Sequence, residues 1–130
     1  MTRRTVQPAG VWDPRPRFAQ VVQTGTQVYV AGQTSVDEQG NVVGKGDIEV
    51  QARQVFQNLR KCLESVGAGF EHVVKLNIYS TDLDAHRETV STLRREYFRE
   101  PVVSTTVQVS RLVHPDWLLE IEAIAELGES

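Results

Sequence analysis

Two carboxylates stand two residues apart in the segment Leu119-Glu120-Ile121-Glu122-Ala123-Ile124-Ala125. Apolar and charged side chains alternate at its start, which is the period of a strand with one face against a core. On such a strand Glu120 and Glu122 point to one face, about 7 Å apart, while Ile121 and Ala123 point to the other. Carboxylates pinned this way can orient a water or take up a proton, the more so where burial raises one pKa. They can equally form a solvated strand face, and the run by itself leaves both readings open.

Other chemistry is thinly represented. His72, His86 and His114 are far apart and show no metal-ligand spacing, so no metal site is expected and each reads as a solvated surface side chain. Gly32, Gly40, Gly44 and Gly46 fit neither phosphate-loop pattern. The single cysteine, Cys62, excludes an intrachain disulfide; it falls on an apolar stripe and reads as core. Net charge is −3, whereas duplex binding calls for a basic excess. Arg3, Arg4, Arg15 and Arg17 make only the N-terminal stretch locally basic, so nucleic acid is not the expected partner. The N-terminus lacks the apolar centre of a signal peptide and no apolar run reaches membrane-spanning length, which sets the cytoplasm as the expected location.

The elements that must position the carboxylates follow from pattern. Residues 1–17 hold Pro8, Pro14 and Pro16 and read as an arm or loop with room for one short strand; residues 18–127 read as a single domain. Phe18–Gln23 and Gln27–Gly32 are predicted strands joined at Gly25, which suits a tight hairpin. Ile48, Ala52, Val55, Phe56, Leu59, Cys62, Leu63 and Val66 recur at helical spacing. Asp47 caps that helix, and Gly67 with Gly69 supply a left-handed stop. A strand over Val73–Tyr79, a helix over Asp84–Phe98, and strands over Val102–Val109 and Leu118–Ala125 complete the order β-β-α-β-α-β-β. This is an α+β chain with a mixed sheet, and two helices can cover only one of its faces. Val28 and Val30 oppose Tyr29 and Ala31, so the second face is also partly apolar and calls for another partner, most economically a second copy.

Several segments together resemble the YjgF/RidA family. They are Val30-Ala31-Gly32-Gln33, Gln51-Ala52-Arg53-Gln54, Val73-Val74-Lys75-Leu76, Tyr79-Ser80-Thr81-Asp82-Leu83, Tyr97-Phe98, Val109-Ser110-Arg111-Leu112 and Glu120 through Ala125. Their order and spacing, over roughly residues 15–126, carry the resemblance rather than any one of them. It implies a chorismate-mutase-like fold and a homotrimer with small-molecule pockets between subunits. It also implies cofactor-independent hydrolysis of reactive enamines and imines to ammonia and a keto acid. Mapped onto this chain, the family's pocket tyrosine falls at Phe18, the residue before Gly-Gln at Ala31 beside Gly32, and the glutamate associated with water placement at Glu120. The arginine that holds the substrate carboxylate falls at Val103, followed by Ser104 and Thr105. Val103 offers neither charge nor donor, so the resemblance implies weak activity on 2-imino acids and a less acidic substrate. Arg17, neighbouring Phe18 on an extended chain, is expected to face away from the pocket. The expectation is a deaminase-type hydrolase acting through Glu120; the alternative is a ligand-binding or sensing trimer without catalysis.

Overall fold

The structure, a computed structural model, describes residues 2–128. Its chain order is β1 (Arg3–Val6), β2 (Val21–Thr24), β3 (Gln27–Gln33), α1 (Ile48–Glu64), β4 (Val73–Ser80), α2 (Leu83–Tyr97), β5 (Val103–Gln108) and β6 (Leu119–Glu126). The strands form one six-stranded sheet in the order β1-β2-β3-β6-β4-β5. Only β4 and β5 run parallel, joined through α2; β6 lies antiparallel between β3 and β4. The mixed sheet and element order agree with the α+β expectation, and the short N-terminal strand is β1, which extends the sheet beside β2.

Both helices pack on one face. Buried Val55, Phe56, Leu59, Cys62 and Leu63 of α1 meet Val28, Val30, Leu76, Ile78, Ile121, Ala123 and Ala125 of the sheet in one core. Burial lifts the Cys62 thiol to about 12, so it stays protonated and acts as a small apolar group. Asp47 caps α1 by accepting from the Val50 amide. Gly67 takes the left-handed conformation past the helix end (φ +74°), but Gly69 is extended (φ −137°), so a single glycine makes the stop. Gly69 instead donates its amide to Nδ1 of His72 at 3.0 Å.

Two differences from the sequence reading bear on function. The strand expected from Phe18 begins only at Val21, because residues 15–17 form a turn closed by the Arg17 amide donating to the Pro14 carbonyl at 3.1 Å. The helix stripe also carries two buried amides among its apolar residues. Gln51 donates to the carbonyls of Gly44 (3.1 Å) and Asp116 (2.9 Å) and accepts from the Leu118 amide at 2.9 Å. Asn58 donates to the carbonyls of Thr34 and Val36. The two side chains thereby fasten the β3–α1 connection and the chain leading into β6 to the helix. Gln51→Leu keeps the volume but leaves those backbone groups unpaired. It is expected to cost about 1–3 kcal/mol of stability, measurable by urea unfolding.

Candidate functional site

Strand β6 alternates strictly between buried and half-buried residues. Leu119, Ile121, Ala123 and Ala125 go to the helices, so Glu120 and Glu122 are forced onto the opposite face. Cross-strand register places Tyr79 opposite Glu120 and Asn77 opposite Glu122. The Tyr79 hydroxyl donates to Glu122 Oε1 at 2.6 Å and the Asn77 amide to the same oxygen at 3.1 Å. Glu122 is thus held by two donors, and its charge raises the Tyr79 phenol through their hydrogen bond.

Glu120 has a different environment. No hydrogen bond to its carboxylate occurs among the described residues, and desolvation, followed by the nearby Glu122 charge, raises its pKa above the ordinary carboxylate value. It lies against Gly32: a Cβ placed there would fall well inside contact distance of the carboxylate. Only a residue without a side chain leaves room for Glu120 in this position. The two glutamates, equivalent by spacing, are therefore split by environment into one held by two hydrogen-bond donors and one partly desolvated with a raised pKa.

Glu120 borders a cavity of about 310 Å³. Phe18, Ala31 and Gly32, all expected at the site, line it with Glu120. Trp12, Val36, Val113 and Trp117 add apolar walls. Gln20 and Gln33, joined by a 2.8 Å side-chain hydrogen bond, tie the 12–20 segment to β3. Trp12 meets the Phe18 ring edge-on, with centroids 6.4 Å apart.

Arg17 also lines this cavity, contrary to the expectation that it faces away. The turn at residues 15–17 replaces the extended chain on which that expectation rested, and neighbours on a turn need not alternate. The guanidinium carbon lies 5.5 Å from the Trp12 ring centroid.

Val103, Ser104 and Thr105 are not brought to this cavity within one chain. All six residues of β5 are exposed, with Val103 at 67%. Val103 and Thr105 share the Glu120 face, being paired with Lys75 and Asn77. They nevertheless lie two strands away, about 10 Å across the sheet, and Val103 is displaced about 13 Å along it from Glu120. Ser104 points to the helix face and accepts from Arg94 at 3.0 Å.

The histidines expected at the solvated surface are each half-buried. Nδ1 of His114 accepts from the Asp116 amide at 3.0 Å, and its ring stacks on Trp117. Among the described residues no cluster of His, Cys, Asp or Glu could hold a metal, and no helix is long and apolar enough to cross a membrane.

A family model described as Endoribonuclease L-PSP matches residues 11–127. The chain belongs to the YjgF/RidA family. A RutC family protein of Pyrococcus abyssi is 36% identical over 115 residues, 86% of this chain and 89% of that protein. Among solved structures, a putative endoribonuclease from Thermotoga maritima superposes with a TM-score of 0.90 at 30% identity, covering all of both chains. The YjgF gene product of E. coli gives a TM-score of 0.81 at 27% identity over 95% of this chain and 98% of that one. The YjgF/RidA fold of this chain thus places Gly32 of β3 directly beside Glu120 of β6.

A raised Glu120 pKa has a defined consequence for stability. The native state holds the Glu120 proton more tightly than the unfolded chain. Its favourable contribution is therefore complete below the unfolded value, about 4.3, and is lost as pH rises through the native value. Glu120→Gln removes that dependence. Its melting temperature relative to the unsubstituted protein should rise as pH increases from about 4 through the native Glu120 pKa and then level off, as read by thermal unfolding at a series of pH values.

Proposed function

We propose that this protein is a cofactor-independent hydrolase of reactive enamines and imines, with Glu120 as its catalytic acid and base. The observation that carries the reading is the half-desolvated carboxyl group held against Gly32 in a cavity with aromatic walls. Protonated Glu120 donates to the imine nitrogen, making the carbon electrophilic. The resulting carboxylate takes a proton from water as the water oxygen bonds to that carbon. Return of that proton to nitrogen lets ammonia leave as the carbon–nitrogen bond breaks, while the Glu120 carboxylate takes the hydroxyl proton, forming the carbonyl and restoring the protonated acid. One group with a raised pKa serves both directions. The apolar walls exclude competing water and favour a substrate with a hydrocarbon body.

Assembly belongs to this reading. The sheet face opposite the helices exposes Tyr29, Val103 and Val107, and β5 has no cover at all. A homotrimer that sets the β5 face of one copy against the Phe18–Glu120 cavity of the next would cover both. It would also bring Val103, Ser104 and Thr105 to a shared pocket that no single chain forms. The valine at the clamp position also supports a second reading, a binding or sensing trimer that does not turn its ligand over. Binding without consumption would select it.

The test is ammonia release from imines generated in place by an amino-acid or amine oxidase. Glu120→Gln should lower the rate by about a hundred-fold to ten-thousand-fold while the fold survives, because the amide is isosteric. Gly32→Ala, which displaces the carboxylate without removing it, should produce a similar loss. Turnover unaffected by either substitution would exclude the mechanism.

A further inference from the structure

We infer that Arg17 is the ligand-anion anchor of this protein, supplying within the chain the positive charge that position 103 lacks, so that the cavity selects a carboxylate-bearing ligand with a planar apolar body. The inference deepens the function proposed above and rests on that reading only for the identity of the ligand as an imine.

Four observations converge. First, of the two arginines in the 15–17 turn, Arg15 is consumed locally. Its Nε and Nη2 reach the two Asp13 oxygens at 2.8 and 2.6 Å, and that pairing holds the Asp13 carboxyl at about 2. Arg17 has no carboxylate within ion-pair distance among the described residues.

Second, its guanidinium carbon lies 5.5 Å from the Trp12 ring centroid, within cation–π range. The Arg17 side chain makes no hydrogen bond among the described residues, so its N–H donors remain available to grip a carboxylate with two parallel bonds.

Third, Arg17 and Glu120 border the same cavity yet do not pair with each other. A guanidinium and a carboxyl group kept apart across an apolar space suit a molecule that presents an anion to one and a nitrogen to the other. Fourth, Trp117 lines that cavity too, adding a second indole to its walls.

The charge preference deduced from Val103 alone is thereby reversed. A valine at that position removes one anchor, while the turn before Phe18 supplies another that lines the cavity. The body of the ligand is set by Trp12, Phe18 and Trp117, flat side chains that favour a ring over a short polar chain.

Both tryptophans of the chain line this cavity, so intrinsic fluorescence reports its occupancy directly. The probes are phenylacetate and phenylacetamide, equal in shape and different in charge, titrated into the full-length protein. The expected result is tighter binding of phenylacetate by about ten-fold to a hundred-fold. Arg17→Met should abolish that preference while phenylacetamide still binds detectably, which shows the cavity intact. Arg17→Lys should retain part of it, since charge survives but the planar fork does not. Equal affinity for the two probes, undetectable binding of phenylacetate, or a preference that survives Arg17→Met overturns the inference. These titrations stand whether or not any imine is hydrolysed, so failure of the catalytic reading and failure of this one are separately visible.

Discussion

The period-two alternation of β6 is the constraint on which the site depends. A central strand must bury one face against the helices, and Leu119, Ile121, Ala123 and Ala125 meet that demand completely. The carboxylates between them have no alternative face. Once there, their difference arises from neighbours: Asn77 and Tyr79 donate to Glu122, whereas Glu120 meets the bare backbone of Gly32 and partial desolvation. Hydrophobic burial on one side of the sheet thus fixes the placement of the two carboxylates on the other.

Precision on that polar side comes from buried amides in α1. Gln51 and Asn58 hold backbone carbonyls of two connections, and those connections carry Thr34, Val36 and Trp117 to the cavity wall. Helix and pocket are separate layers of the domain, yet these hydrogen bonds join them. The same logic recurs at the N-terminus, where Gln20 and Gln33 secure the segment that presents Trp12, Arg17 and Phe18.

Legibility in the sequence followed the range of the interactions involved. Periodicity exposed α1, β4 and β6 within a few residues of their true ends, because burial imposes its period locally. Glu120, Phe18, Ala31 and Gly32 line one cavity; the family resemblance pointed to all four, and local strand pattern singled out only Glu120. Arg17 was misplaced because alternation was extended into a turn, and the turn depends on Pro14 and on docking of the segment to β3. Trp12 and Trp117 lie in connections whose course no local pattern encodes. Gln51 and Asn58 resemble surface residues until the loops they hold are in view. Val103, Ser104 and Thr105 could not be joined to Glu120 by one chain at all, as the breadth of the sheet separates them.

Strand β5 carries a consequence of its own. From Val102 to Val109 the chain has no charge, no proline and no glycine, and β5 lies at the rim of the sheet with every residue in water. Proteins usually blunt such a rim with a lysine, a proline or a bulge, and this one has none of those devices. An uncovered copy therefore offers an adhesive template to any extended polypeptide it meets. Covering that rim therefore bears on solubility, and in the proposed trimer the same stretch of backbone would also border the ligand pocket.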